Sequence, residues 1–110
     1  MSTTKGYKDF ILEQLSLSGD ITAKPMMGEY LLYAGGVLFG GIYDNRLLVK
    51  ITESNKKYGF SRELPYDGAK SMYLVSDVDD AELLVKIVKD TLVGLEKTPK
   101  KDKSNRGRKL

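Results

Sequence analysis

The sequence predicts a single α+β domain: an N-terminal helix, an antiparallel β-meander, one or more further strands, and a C-terminal helix packed on one face of the sheet. Residues 24–50 contain three short apolar segments joined at residues 35–36 and 44–45, where Gly-Gly and Asp-Asn tolerate the positive φ of tight turns. Residues 4–17 and 79–95 each carry one apolar stripe at helical spacing. A length of 110 residues suits one hydrophobic core.

The first helix is predicted to begin at Thr3 or Thr4, which can cap it, and to bury one stripe: Tyr7, Phe10, Ile11, Gln14 and Leu15. Residues 21–23 are predicted as an extended lead-in, because Pro25 disfavours a helical residue before it and cannot donate to a sheet ladder. We expect Met26 and Met27 to lie in the core at the start of a buried strand.

The third segment of the meander alternates, with Leu47, Val49 and Ile51 on one face. Glycines 40–41 predict a bulge or the close approach of a packed helix. Residues 71–75 read as a fourth strand, simplest as an edge beside the meander. Between them we expect a helical turn at 54–58 ended by Gly59, and a turn at 65–68.

The C-terminal helix is predicted to be capped by Asp77 or Asp79 and to end near Gly94 and Pro99. Its apolar face comprises Leu84, Ile87, Val88, Thr91, Leu92 and Leu95. Both long helices should cover the same face of the sheet, since each has a single stripe. One core should therefore contain Leu47, Val49, Ile51, Phe10, Leu84 and Val88.

The composition excludes several kinds of site. There is no cysteine and no histidine, so disulfides, thiolate or imidazole metal ligands and histidine-based triads are excluded within one chain. The carboxylates Asp77, Asp79, Asp80 and Glu82 are explained by helix capping and the helix dipole rather than by a metal. We expect no enzyme activity, no catalytic residue, no metal and no cofactor. Without a segment of about 20 apolar residues the sequence predicts no membrane contact and a cytoplasmic protein.

Charge divides the chain into two parts. Residues 97–110 hold seven basic residues and one acid, a net charge of +6, whereas residues 1–96 hold 11 basic and 14 acidic residues, a net charge of −3. The composition predicts a domain over 1–96 and a disordered basic tail over 97–110. The tail offers candidate nucleic-acid contacts: Lys100, Lys101, Lys103, Arg106, Arg108 and Lys109.

Two weaker patterns inside the domain also invite a nucleic-acid interpretation. Tyr30, Tyr33 and Tyr43 could stack bases on an open sheet face, although half-buried tyrosines are ordinary on strands. A basic patch beside them would need four residues to converge: Lys24, Arg46, Lys50 and Arg62.

The segments PMMGEYLLYAGGVLFGGIYDNRLLVK and ELPYDGAKSMYLVSDVDDAELL resemble the N-terminal domain of the TfoX/Sxy family, regulators linked to bacterial competence. The resemblance runs over residues 7–93 and is most specific at 28–30, 39–43 and 46–50. It implies an α+β fold similar to secretion chaperones and a domain lacking the helical C-terminal domain of full competence regulators. The family supplies no catalytic residues to carry over.

Three hypotheses of function follow. The first is a stand-alone regulatory or adaptor protein that binds an unknown protein partner. The second is a protein that binds nucleic acid weakly and without sequence preference through its tail. The third is an enzyme, which would need a nucleophile beside a base, and the sequence shows no such pair. We also predict a homodimer through a sheet edge or the uncovered sheet face, because the second apolar segment carries few charges.

Overall fold

The structure, a computed structural model, describes residues 2–97. Two α-helices, two short 3₁₀ helices and six strands follow one another in this part of the chain: α1 (Lys5–Gln14), a first 3₁₀ helix (Ser16–Ser18), β1 (Ile21–Met26), β2 (Glu29–Ala34), β3 (Val37–Ile42), β4 (Leu47–Val49), a second 3₁₀ helix (Glu53–Tyr58), β5 (Arg62–Glu63), β6 (Met72–Val75) and α2 (Ala81–Lys97). All strand pairs are antiparallel, in the order β1-β2-β3-β4-β6-β5. The predicted α+β class is confirmed.

Three two-residue hairpin turns build the first four strands into one meander. Both residues have positive φ at 27–28, 35–36 and 44–45, the conformation that matches the right-handed twist of a hairpin. The amides and carbonyls of Tyr43 and Arg46 exchange hydrogen bonds of 2.9 and 3.0 Å across the last turn. The two turns predicted from Gly-Gly and Asp-Asn are confirmed, and the Met27-Gly28 turn adds a strand that the sequence did not predict.

The added strand is β1, which forms one edge of the sheet. Residues 21–23 are extended, as predicted, but they belong to a paired strand and are not a lead-in: residues 21–26 pair with β2 throughout, and Pro25 lies opposite Tyr30. The Gly35 amide donates to the Asp20 carbonyl at 2.9 Å, so alternation directs the amides of Ile21 and Ala23 away from β2. Pro25 occupies the next outward position, so its lack of an N–H costs the β1–β2 ladder no hydrogen bond.

The methionine prediction is also wrong. Met27 lies in the hairpin turn and is 96% exposed, while Met26 is only partly buried. Met27 is exposed because it lies in a turn that reverses the chain outside the sheet, and Met26 is the last residue of the edge strand β1.

A β-bulge shapes β3. Leu32 pairs with Gly40 but Tyr33 pairs with Leu38, so Phe39 is the extra residue, and its ring is fully buried in the core. A Cβ at Gly40 would overlap the Leu48 carbonyl of β4, and one at Gly41 would lie 2.5 Å from the Tyr43 ring. The bulge prediction is confirmed, and the close approach is made by a neighbouring strand and a tyrosine ring instead of a helix.

Both long helices cover one face of the sheet, as predicted. Ile11 and Leu15 of α1 share a cluster with Leu84, Ile87 and Val88 of α2, and with the sheet residues Leu32, Ala34, Phe39, Ile42, Leu47, Val49, Tyr73 and Val75. Ile51 packs against this cluster. Phe10 was predicted to belong to it but is 37% exposed, because α1 ends at Gln14 and buries the stripe on which Ile11 and Leu15 lie.

The ends of the helices differ in detail from the sequence prediction. Thr4 caps α1 by accepting a hydrogen bond from the Tyr7 amide at 3.1 Å, as expected. The cap of α2 is Asp80, whose carboxylate accepts from the Leu83 amide at 3.0 Å, not Asp77 or Asp79. Gly94 does not end α2 but lies inside it, against Thr52.

The connection between β4 and α2 holds the remaining predicted elements. The helical turn exists as the 3₁₀ helix ended by Gly59 in the left-handed conformation. The turn spans Tyr66 to Ala69, closed by a 3.2 Å backbone hydrogen bond. The fourth predicted strand, β6, lies beside β4 but is not an edge, because β5 pairs with its other side. The second apolar segment, β3, is central, so it cannot provide the edge on which the homodimer prediction relied.

Candidate protein-binding surfaces

The residues that could have formed a metal or nucleic-acid site do not converge. Among the described residues no group of three or more carboxylates could hold a metal ion. The three tyrosines are divided between faces: Tyr30 packs on the helix side, Tyr33 points to the opposite face, and Tyr43 is buried over Gly41. Because Tyr30 and Tyr33 lie on opposite faces and Tyr43 is buried, these three tyrosines do not form one exposed platform for stacked bases.

The four basic residues of the supposed patch have separate surroundings. Arg46 donates hydrogen bonds to the carbonyls of Tyr43 (3.2 Å) and Leu64 (3.0 Å), which fixes the start of the loop over residues 64–71. Arg62 lies over the Tyr73 ring, 6.0 Å from its centroid. Lys24 is on edge strand β1, and Lys50 lies at the end of β4. The six candidate contacts in the tail, Lys100, Lys101, Lys103, Arg106, Arg108 and Lys109, lie outside the described residues.

The sheet face opposite the helices carries a groove, which we call the sheet-face groove. It has a volume of about 530 Å³ and lies between the sheet and the loop over residues 64–71. Leu31, Leu38 and Met72 form its floor, because each alternates with a residue that faces the helix-side core. Pro65 and the 57% exposed ring of Tyr66 form part of its wall.

The charges on the sheet-face groove are of one sign. Lys50 and Lys70 are its only charged lining residues, and neither ammonium has a carboxylate partner among the described residues. In the sheet, Glu63 pairs in register with Met72. Burial, with smaller contributions from Tyr66, Glu29 and Tyr33, raises the pKa of Tyr43, whose ring centroid lies 6.1 Å from that of Tyr66. The groove therefore combines an apolar floor with unpaired positive charge.

A second groove, the α2 groove, lies on the helix side. It has a volume of about 670 Å³ and runs between α2, the first 3₁₀ helix and the start of β3. Its lining is mostly aliphatic, including Val85, Leu92 and Val93 of α2. Leu17 and Val37 stand on its rim and are 67% and 46% exposed. Aliphatic side chains exposed beside a concave apolar surface are typical of an interaction site.

Two polar clusters join the second 3₁₀ helix to α2, and both are structural. The Asn55 side chain is fully buried: it donates to Lys50 O and Thr91 Oγ1, both at 2.9 Å, and accepts from the Thr52 amide at 3.0 Å. Every polar atom of the amide thus has a partner, as a buried side chain requires.

In the other cluster Tyr58 donates to the Asp90 carboxylate at 2.6 Å, and Lys57 pairs with the same oxygen at 3.1 Å. Burial, assisted by this hydrogen bond and the Asp90 charge, raises the pKa of Tyr58 to about 12. The pKa of Asp90 is lowered, mainly by the hydrogen bond from Tyr58 and further by the hydrogen bond from Lys57 and the charges of Lys57 and Lys89; burial acts in the opposite direction. A hydroxyl with a raised pKa is a poor nucleophile, and a carboxylate with a lowered pKa is a poor base.

Sequence reasoning missed both grooves. The exposed Leu17, Val37 and Tyr66 were the available signals, but a single exposed apolar residue in a sequence cannot be told from a buried one without its neighbours. No helix in the described part of the chain is long and apolar enough to cross a bilayer.

Comparison with known proteins identifies the family. Residues 13–94 match the family model of the TfoX N-terminal domain. The chain is also 32% identical over 80 residues to an uncharacterised 12.7 kDa protein encoded in the 5′ region of trpE in Spirochaeta aurantia, an alignment that covers 71% of this chain and 70% of that protein. The matched residues extend from the end of α1 into the last turn of α2, and so include the whole sheet, the sheet-face groove and all of the α2 groove except Leu95 and Glu96. The chain belongs to the TfoX N-terminal domain family.

Proposed function

We propose that this protein is a non-catalytic regulatory or adaptor protein that acts by binding a protein partner in the sheet-face groove. The observation that carries the proposal is the groove's combination of an apolar floor, formed by Leu31, Leu38 and Met72, with two lysines that have no ion-pair partner in residues 2–97. The matching ligand is a partner segment that carries acidic side chains beside aliphatic ones. Apolar burial would supply affinity, and the lysines would select the sign of charge and the orientation.

The chemistry of the chain supports a binding role over catalysis. Histidine and cysteine, the commonest general base and the most reactive nucleophile, are absent from the sequence. Tyr58 and Asp90 are the described groups with the clearest mutual pKa shifts. They bind each other, and Asp90 also pairs with Lys57, across two elements of the domain. The family resemblance adds a context, regulation of transcription or competence, in which the partner would belong to the regulatory machinery.

The test is affinity capture from cell extract with the full chain, treated with nuclease so that bridging nucleic acid does not contribute. We expect a protein captured by the wild type to be lost with the double variant Lys50→Glu/Lys70→Glu, because reversed charge repels an acidic segment. Lys86→Glu is the matched control, since this exposed lysine lies on α2, behind the other face of the sheet. Capture of the same proteins by the double variant and the wild type would contradict the proposal.

A second candidate function rests on the division of charge in the sequence. A tail at +6 next to a domain at −3 favours weak binding to nucleic acid through phosphate contacts that do not read sequence. This activity would depend on the tail lysines and arginines and not on the sheet-face groove, so the two candidates respond to different variants.

A further inference from the structure

The outward stripe of α2 has a charge pattern that complements itself. Among the residues that the structure describes, Lys89 and Glu96 are the only charged ones that line the α2 groove, and they have opposite signs. They lie seven residues apart, about 10.5 Å along a helix, on the same face. Leu92 and Val93 lie midway between them and line the same groove. Neither charge has an ion-pair partner among the described residues, and the neighbouring Asp90 already binds Tyr58 and Lys57.

A second copy of the helix, placed antiparallel with its two-fold axis at residues 92–93, satisfies this pattern at the two charged positions and at the apolar pair between them. Lys89 then faces Glu96 of the second copy and Glu96 faces its Lys89, which makes two equivalent ion pairs. Leu92 faces Val93 of the second copy in the apolar centre. The exposed Leu17 and Val37 on the rim of each groove would be covered by the incoming helix. A parallel arrangement would instead oppose like charges.

Other occupants and other dimer surfaces fit less well. The sequence after residue 97 is rich in lysine and arginine and contains one aliphatic residue, Leu110, so its composition matches an aliphatic groove poorly. Edge strand β1 directs only the amides of Ile21 and Ala23 outward before Pro25 interrupts the ladder. The sheet-face groove would bring Lys50 and Lys70 of two copies together.

We infer that the α2 groove joins two copies of this chain into a two-fold symmetric homodimer with α2 antiparallel to α2, held by apolar contact at Leu92 and Val93 and by reciprocal Lys89–Glu96 pairs. The interface lies on the helix side of the sheet, which leaves the sheet-face groove of each copy open. The inference does not depend on the proposed function, because it uses a different surface and needs no other partner.

The test is a charge-reversal experiment on the full chain, read by sedimentation velocity across a range of concentrations. We expect the wild type to dimerise, and Lys89→Glu or Glu96→Lys to raise the dimer dissociation constant about tenfold, since each replaces two attractive pairs by two repulsive ones. The double variant Lys89→Glu/Glu96→Lys should recover wild-type dimerisation. Mixing the two single variants should produce a heterodimer, because one copy then carries two acids and the other two lysines.

Each outcome decides the inference. Lys86→Glu is the control for a charge change on the same helix outside the groove and should leave the dimer unchanged. Exposed single reversals do not threaten folding, which circular dichroism of each variant would verify. A wild type that stays monomeric at every concentration overturns the inference. So does a dimer that tolerates both single reversals, and so does a failure of the double variant or of the mixture to restore association.

Discussion

Replacing Gly94 by alanine tests how the structure uses a helical glycine. Helix propensity alone predicts that the substitution stabilises α2 by about 1 kcal/mol, since glycine is the poorest ordinary helix former. The structure predicts the opposite sign. A Cβ at this position would lie 3.0 Å from Thr52 Cγ2 and closer still to Thr52 Oγ1 and Cβ. Something would have to move, and Thr52 is poorly placed to do so.

Thr52 is buried and held by the second 3₁₀ helix. Its hydroxyl accepts from the Asn55 amide at 3.3 Å, and its own amide donates to Asn55 Oδ1 at 3.0 Å. Relief of the overlap therefore breaks this capping box or displaces α2. Overpacking costs about 1–3 kcal/mol, and overlap with three atoms of a buried side chain places this case in the upper part of that range, at about 2–3 kcal/mol; the gain in helix propensity offsets about 1 kcal/mol of it. We expect Gly94→Ala to lower the free energy of unfolding by about 1–2 kcal/mol.

The assay is urea unfolding followed by circular dichroism, with thermal unfolding in parallel. For a domain of this size 1 kcal/mol corresponds to roughly 4–8 °C, so the melting temperature should fall by about 5–15 °C. Gly6→Ala is the matched control, because a Cβ there meets nothing within 4 Å and the substitution should stabilise α1 by about 0.5–1 kcal/mol. The reasoning would be refuted if Gly94→Ala were as stable as the wild type, or if both alanines shifted stability in the same direction.

Three further predictions concern the polar clusters and the tail. Asn55→Ala should lower the free energy of unfolding by about 2–4 kcal/mol, because it leaves buried polar groups without hydrogen-bond partners. In a double-mutant cycle its coupling energy with Thr91→Val should reach about 0.5–1.5 kcal/mol. Additive effects would contradict the 2.9 Å hydrogen bond between the two side chains. Tyr58→Phe should lower stability at pH 7 by about 1 kcal/mol and raise the pKa of Asp90, observable by NMR titration. Because the pKa of Asp90 is lowered in the fold, the ionised carboxylate stabilises the protein above pH 3.8, and this stabilisation is lost as the pH falls. Because the pKa of Tyr58 is raised, its neutral hydroxyl stabilises the protein below pH 10, and this stabilisation is lost as the pH rises towards 12. The stability of Tyr58→Phe should therefore depend less on pH at both extremes. The last prediction replaces three tail lysines with glutamine: Lys100, Lys101 and Lys103. Binding to duplex and single-stranded oligonucleotides should weaken and depend less on salt concentration, and unchanged binding would show that the contact lies elsewhere.

The sequence by itself determined the features that depend on near neighbours along the chain. The hairpins at Gly35-Gly36 and Asp44-Asn45 follow from residues that accept positive φ, whatever surrounds them. The buried stripe of α2 follows from helical periodicity, and the class of fold follows from the order of these elements. The division of charge between residues 1–96 and 97–110 is likewise a property of the sequence alone.

Tertiary structure decided the features that depend on what lies across the sheet. Gly94 looked like the end of a helix because glycine often is one, and only the position of Thr52 shows that it makes room inside α2. Phe10 belongs to an apolar stripe in sequence, but α1 is rotated so that Ile11 and Leu15 face the core instead. Both grooves arise where elements distant in sequence meet without filling the space between them. Local spacing does not encode such gaps, because their existence depends on side-chain packing between segments that the chain brings together only when it folds.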